Sequence, residues 1–116
     1  MYLLSARFGV DSGPDEGTSE HDTEMAGWTA LNRDLAQSGH LVWSLALDDP
    51  ESALVVTSAA GAQPTPTSVD PSEGGVFALY LLDVDEATAL AWAARMPACG
   101  YGSVEVREVR SYETAR

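Results

Sequence analysis

The chain has 116 residues, 45% of them apolar, which is enough for one compact domain with a modest core and not for two. Eighteen Asp and Glu stand against six Arg and no Lys, a net charge of −12. That charge argues against nucleic acid and anionic membrane surfaces as partners, and the missing lysine excludes Schiff-base chemistry and the lysine-dependent phosphate loop. A single cysteine, Cys99, excludes an internal disulfide and a cysteine-rich zinc site.

Tyr2 to Phe8 reads as a first strand that ends at Gly9. Residues 9–20 are turn-forming and acidic, with Gly13-Pro14 and Gly17. Thr18 or Ser19 then caps a helix whose first turns carry Glu20, Asp22 and Glu24. Met25, Trp28, Leu31 and Leu35 give that helix an apolar face, from which His21 also projects, and Gly39 stops it. His40 to Leu47 is a strand apolar on both alternating faces. Ala53 to Thr57 is a shorter one. Residues 58–75 are rich in Ser, Thr, Pro and Gly, which suits a flap or a frayed edge strand. Val76 to Val84 is the strongest strand. A second helix follows from a cap at Asp83 or Asp85 to Met96, with Ala87, Leu90, Ala91 and Ala94 as its expected packing face. Ser103 to Arg110 closes the pattern, and residues 111–116 form a loose tail after one domain at 1–110.

The four longer strands and two helices run β-α-β-β-α-β, with the short strand at 53–57 and a further strand allowed in the long loop, which predicts an α+β, ferredoxin-like split βαβ arrangement: an antiparallel sheet with two helices on one face. Two helices leave the other sheet face bare, although the strands at 40–47 and 76–84 are apolar on both sides. A second copy of the chain covers it most simply, so a homodimer is expected. The chain opens without a basic leader. Its longest apolar run, Leu41 to Leu47, is interrupted by Ser44 and far too short for a bilayer, so a cytoplasmic setting is expected.

The run Gly75-Val76-Phe77-Ala78-Leu79-Tyr80-Leu81-Leu82-Asp83-Val84, then Asp85-Glu86-Ala87 and Ala91-Trp92-Ala93-Ala94-Arg95-Met96-Pro97, resembles the YCII-related proteins, especially their DGPF-domain branch. Gly102 to Arg107, Tyr2-Leu3-Leu4 and Ser38 to Val42 extend the resemblance over nearly the whole chain. It implies a dimeric α+β barrel of ferredoxin-like protomers. It also implies small cofactor-independent enzymes acting on organic acids or lactones, or a regulatory role beside a sigma factor. The Asp-Gly-Pro-Phe signature itself is absent, since the region from Gly61 to Pro66 reads Gly-Ala-Gln-Pro-Thr-Pro. The first-helix histidine of the YciI-like branch falls at Trp28, with His21 two turns upstream.

Several residues carry the candidate chemistry. A carboxylate at Asp11 could orient His21 as a general acid or base, the alternative being a solvent-exposed His21 in an acidic loop. His40 is a second acid–base candidate or a structural hydrogen-bonder. Trp28 and Trp43 are expected as cavity walls or core, whereas Trp92 is assigned to packing. Arg7 needs a carboxylate such as Asp83 or an acidic ligand, and Tyr80 offers a hydroxyl to a pocket. No metal-ligand spacing and no cofactor motif occurs, so neither a metal nor a cofactor is expected. The reading is a cofactor-independent isomerase or lyase moving a proton on a small organic molecule. The alternative is a non-catalytic ligand-binding or regulatory module.

Overall fold

The structure is a computed structural model that describes residues 1–8, 13–49, 52–57, 61, 65–68 and 75–114. Within them the chain runs β1 (Tyr2–Phe8), α1 (Ser19–Ser38), β2 (Leu41–Ala46), β3 (Leu54–Thr57), β4 (Thr65–Ser68), β5 (Gly75–Leu82), α2 (Glu86–Arg95), a 3-10 turn (Pro97–Gly100) and β6 (Gly102–Glu108). Four strands form one sheet in the order β2-β5-β1-β6, each neighbouring pair antiparallel. This is the α+β, ferredoxin-like arrangement that the element order predicts.

Both helix starts follow from side-chain caps. Thr18 Oγ1 accepts the backbone N–H of His21 at 3.2 Å, and Asp85 accepts that of Thr88 at 2.8 Å. Gly39, at φ 79°, ends α1 in the left-handed region that a side chain would disfavour. Trp28, Leu31 and Leu35 of α1, and Ala89 and Ala93 of α2, pack on Leu4, Ala6, Ala78, Tyr80 and Leu82 of the central strands, so both helices lie on one sheet face. Leu4, Leu35 and Leu82 are fully buried, each contributing about 1.5–3 kcal/mol of transfer free energy.

The packing face of α2 differs from the expected one. Ala89, Ala93 and, just beyond, Met96 are buried, whereas Ala87, Ala91 and Ala94 are exposed and Leu90 is 50% exposed. The sequence of this helix, EATALAWAAR, is apolar nearly all round. Periodicity therefore cannot choose a face, and alanine is tolerated in water as a good helix former.

Regular alternation along β2 would place Leu41 and Trp43 on one face, and a bulge prevents it. Leu41 pairs with Leu82 but Trp43 pairs with Leu81, a register shift that leaves Val42 as an extra residue. Leu41 therefore joins the helix-side core, while Trp43 follows Leu81 to the opposite face. That opposite face carries Leu3, Trp43, Leu45, Leu79 and Leu81, and turns polar on β6 at Glu105 and Arg107.

Strands β3 and β4 stand apart as a two-stranded sheet with Leu54 opposite Ser68 and Val56 opposite Pro66. The further strand allowed in the long loop is thus present as β4. Leu54, Val55 and Val56 are all exposed. Most of the rest of the 58–75 stretch, including Pro64 and Pro71, lies outside the described residues.

Candidate functional site

The first half of α1 projects His21, Glu24 and Trp28 from one side, at spacings of three and four. Beneath Trp28 the β1–β5 register shifts between Ala6 and Arg7, so that Phe77 becomes the extra residue of a bulge. Phe77 packs against the core from there, with its ring centroid 5.0 Å from Phe8 and 5.7 Å, edge to face, from Trp28. Tyr80 lies parallel to Trp28 at 6.5 Å. Its hydroxyl donates to Asn32 Oδ1 at 2.8 Å. These rings wall a hollow of about 340 Å³ between α1 and the sheet, at the small end of the range for ligand pockets.

Glu24 and Tyr101 stand at its rim. One carboxylate oxygen, Glu24 Oε1, accepts both the Trp28 indole N–H at 3.2 Å and the Tyr101 hydroxyl. Tyr101 reaches this point because the 3-10 turn delivers the chain to β6 over Gly102. A Cβ at Gly102 would fall 2.1 Å from the carbonyl oxygen of Arg7. Gly13 (φ +92°) packs against the Tyr101 ring, where an added Cβ would lie 3.3 Å from Cδ2 and Cε2.

Two further hollows meet at the same pair. One of about 480 Å³ includes Pro14, Glu20, Glu24, Pro97 and Tyr101 in its wall. Another of about 310 Å³ brings His21 and Asp49 beside Glu24 and Tyr101. Burial, reinforced by the hydrogen bond to Glu24 and its charge, pushes the Tyr101 phenol well above its ordinary value. Burial also raises Tyr80, opposed by its bond to Asn32. Both phenols therefore stay protonated near neutral pH and act as donors.

A family model of the YCII-related domain matches residues 6–113. The chain belongs to the YCII-related family. No curated protein gives a significant match. The YCII-related fold sorts the sequence-predicted residues into three places. His21, Trp28 and Tyr80 come together around the cleft. His40 sits beyond the other end of α1, where its Nδ1 accepts the Trp92 indole N–H at 3.1 Å. Arg95, which stacks on Trp92 at 4.9 Å, donates to Asp34 at 2.6 Å. His21 and His40 thus stand at opposite ends of α1, and of the two readings open for His40 this contact suits the structural hydrogen-bonder. Trp43 is removed from the cleft by the bulge in β2, and it lies on the opposite sheet face. Arg7 is exposed, follows Leu3 and Ser5 to that same face, and makes no ion pair with Asp83 among the described residues. Asp11 lies outside the described residues.

Sequence reasoning passed over Glu24, Asn32 and Tyr101. Glu24 carried a usable signal, an acid four residues before Trp28 on the apolar face of α1. Tyr101 carried none, since its role depends on a contact 77 residues away. Among the described residues no three His, Cys, Asp or Glu side chains converge as a metal site, and no helix is long and apolar enough to cross a membrane.

Proposed function

We propose that this YCII-related chain takes up a small organic molecule in the aromatic cleft and moves a proton on it, with Glu24 as acceptor and His21 as the group that exchanges the proton with water. The observation that carries this reading is the sharing of Glu24 Oε1 by Tyr101 and Trp28 at the meeting point of three hollows. Two fixed donors orient the carboxylate towards an apolar chamber, where electrostatic interactions are stronger than in water. As Glu24 takes the proton and loses its charge, the Tyr101 hydroxyl is released to turn its single O–H towards the negative charge left on the substrate. This is isomerase or lyase chemistry and needs nothing beyond the chain's own side chains.

The test is proton NMR in D2O over a panel of small carbon acids, including ketones and lactones. Protein-dependent loss of one C–H signal, abolished in Glu24→Gln and slowed in His21→Gln, supports the reading. Binding without exchange assigns the cleft to uptake alone, the regulatory alternative, which the smallness and apolar walls of the hollow also suit.

A homodimer accompanies this reading. Leu3, Trp43, Leu45 and Leu79 surround the already buried Leu81 on an apolar sheet face that neither helix covers. A second copy laid on it by a two-fold axis matches leucine to leucine and completes the dimeric barrel that the family resemblance implies. The assembly belongs in the cytoplasm on this reading.

A further inference from the structure

We infer that the ligand of the aromatic hollow is an organic cation, carrying an amine or a quaternary ammonium group. The inference rests on the reading of the cleft as a small-molecule site and specifies the chemical class that site selects. The walls are the rings of Phe8, Trp28, Phe77, Tyr80 and Tyr101, and Glu24 is the one charged side chain among the described residues that line the hollow. Aromatic faces carry negative potential and attract an ammonium group, most strongly where water is excluded. A carboxylate at the rim adds the counter-charge.

The positive side chains point the same way by their positions. The sequence has six arginines and no lysine. Arg7 is on the opposite sheet face; Arg33 and Arg95 are paired with Asp34, and Arg107 with Glu105. Arg110 lies past the end of β6 beside Glu108. Arg116, the last residue, is outside the described residues. None of the five described arginines lines any of the three hollows around Glu24 and Tyr101, whereas Glu20 and Asp49 do. An organic acid placed there would face carboxylates with no arginine partner, and its desolvation would go uncompensated. Apart from the imidazole of His21, the ionic side chains among the described residues around these hollows are carboxylates, which favours a cation.

Three compounds of nearly the same shape separate the possibilities: choline, the neutral 3,3-dimethylbutan-1-ol and the anionic 3,3-dimethylbutanoate. Binding is read from the indole N–H resonance of Trp28, identified by its loss in Trp28→Phe, at constant ionic strength. Choline is expected to bind about tenfold or more tightly than the alcohol, with the butanoate weakest. Glu24→Gln is expected to lower the choline-to-alcohol ratio several-fold and still leave it above one, since the ring faces remain. Phe77→Leu, which keeps an apolar wall but removes a π face, should weaken choline more than the alcohol. Equal or tighter binding of the alcohol or the butanoate overturns the inference while leaving small-molecule uptake in place. If neither these compounds nor the carbon-acid panel shifts the Trp28 signal, the inference and the reading beneath it fall together.

Discussion

The Tyr101 hydroxyl donates to Glu24 across 77 residues of chain, tying the entrance of β6 to the second turn of α1. The bond has a consequence in alkaline solution. The folded phenol holds its proton well above the ordinary 10.0, whereas the unfolded one releases it there. Its contribution to stability is complete below pH 10 and is lost as pH rises through and beyond that value, because the unfolded state sheds the proton first. Denaturant midpoints measured from pH 8 to 12 should therefore fall, and fall less steeply in Tyr101→Phe. The same variant should lose the latest step of the tyrosinate absorbance titration.

Two neighbouring glycines should respond in opposite ways to alanine. At Gly102 the new Cβ would meet the Arg7 carbonyl oxygen at 2.1 Å and the Phe8 Cα at 2.8 Å, both backbone atoms. Gly102→Ala must separate β6 from β1 and should cost about 2–4 kcal/mol in urea unfolding. It should also displace Tyr101 from Glu24. At Gly100 no atom lies within 4 Å of the Cβ position, so Gly100→Ala should stay within about 0.5 kcal/mol of the parent.

The start of α1 is held by Thr18, and with it the placement of His21 and Glu24. Thr18→Ala should lower stability by about 1 kcal/mol, and Thr18→Ser should restore most of it. Since the first turn would fray, ligand binding should weaken in the alanine variant even where the fold persists. Calorimetry alongside denaturant titration checks both effects.

The two histidines should separate cleanly. His40→Ala removes the acceptor of the Trp92 indole and should cost about 1 kcal/mol of stability, leaving proton exchange on a bound compound intact. His21→Gln should do the reverse: slower exchange, little change in the urea midpoint. Loss of exchange in His40→Ala but not in His21→Gln would remove the acid–base assignment.

Sedimentation tests the assembly. A two-fold pair of 12.3 kDa chains should sediment at twice that mass. Leu45→Glu, at a position 42% exposed on the bare sheet face, should yield monomer without unfolding it, because two buried like charges would meet across the axis. A parent protein that sediments as monomer at all concentrations would refute the dimer.

The sequence alone determined the order of the main elements and narrowed each helix cap to two candidates, Thr18 or Ser19 and Asp83 or Asp85. It also marked the apolar stripe of α1, because alternation, 3.6-residue spacing, Thr18, Asp85 and Gly39 are local signals with local causes. The resemblance carried by Gly75 to Pro97 pointed to the YCII-related family by the same residues that build β5 and α2. Tertiary structure decided the rest. The single-residue bulges at Val42 and Phe77 sent Trp43 away from the cleft and brought Phe77 into its wall. An alanine-rich α2 found its buried face only by packing, since nearly every side of it was apolar. The cleft itself joins residues 24, 28, 77, 80 and 101, and long-range convergence leaves no trace in spacing along the chain: it follows from which strand lies beside which, and from the backbone contact that requires glycine at 102.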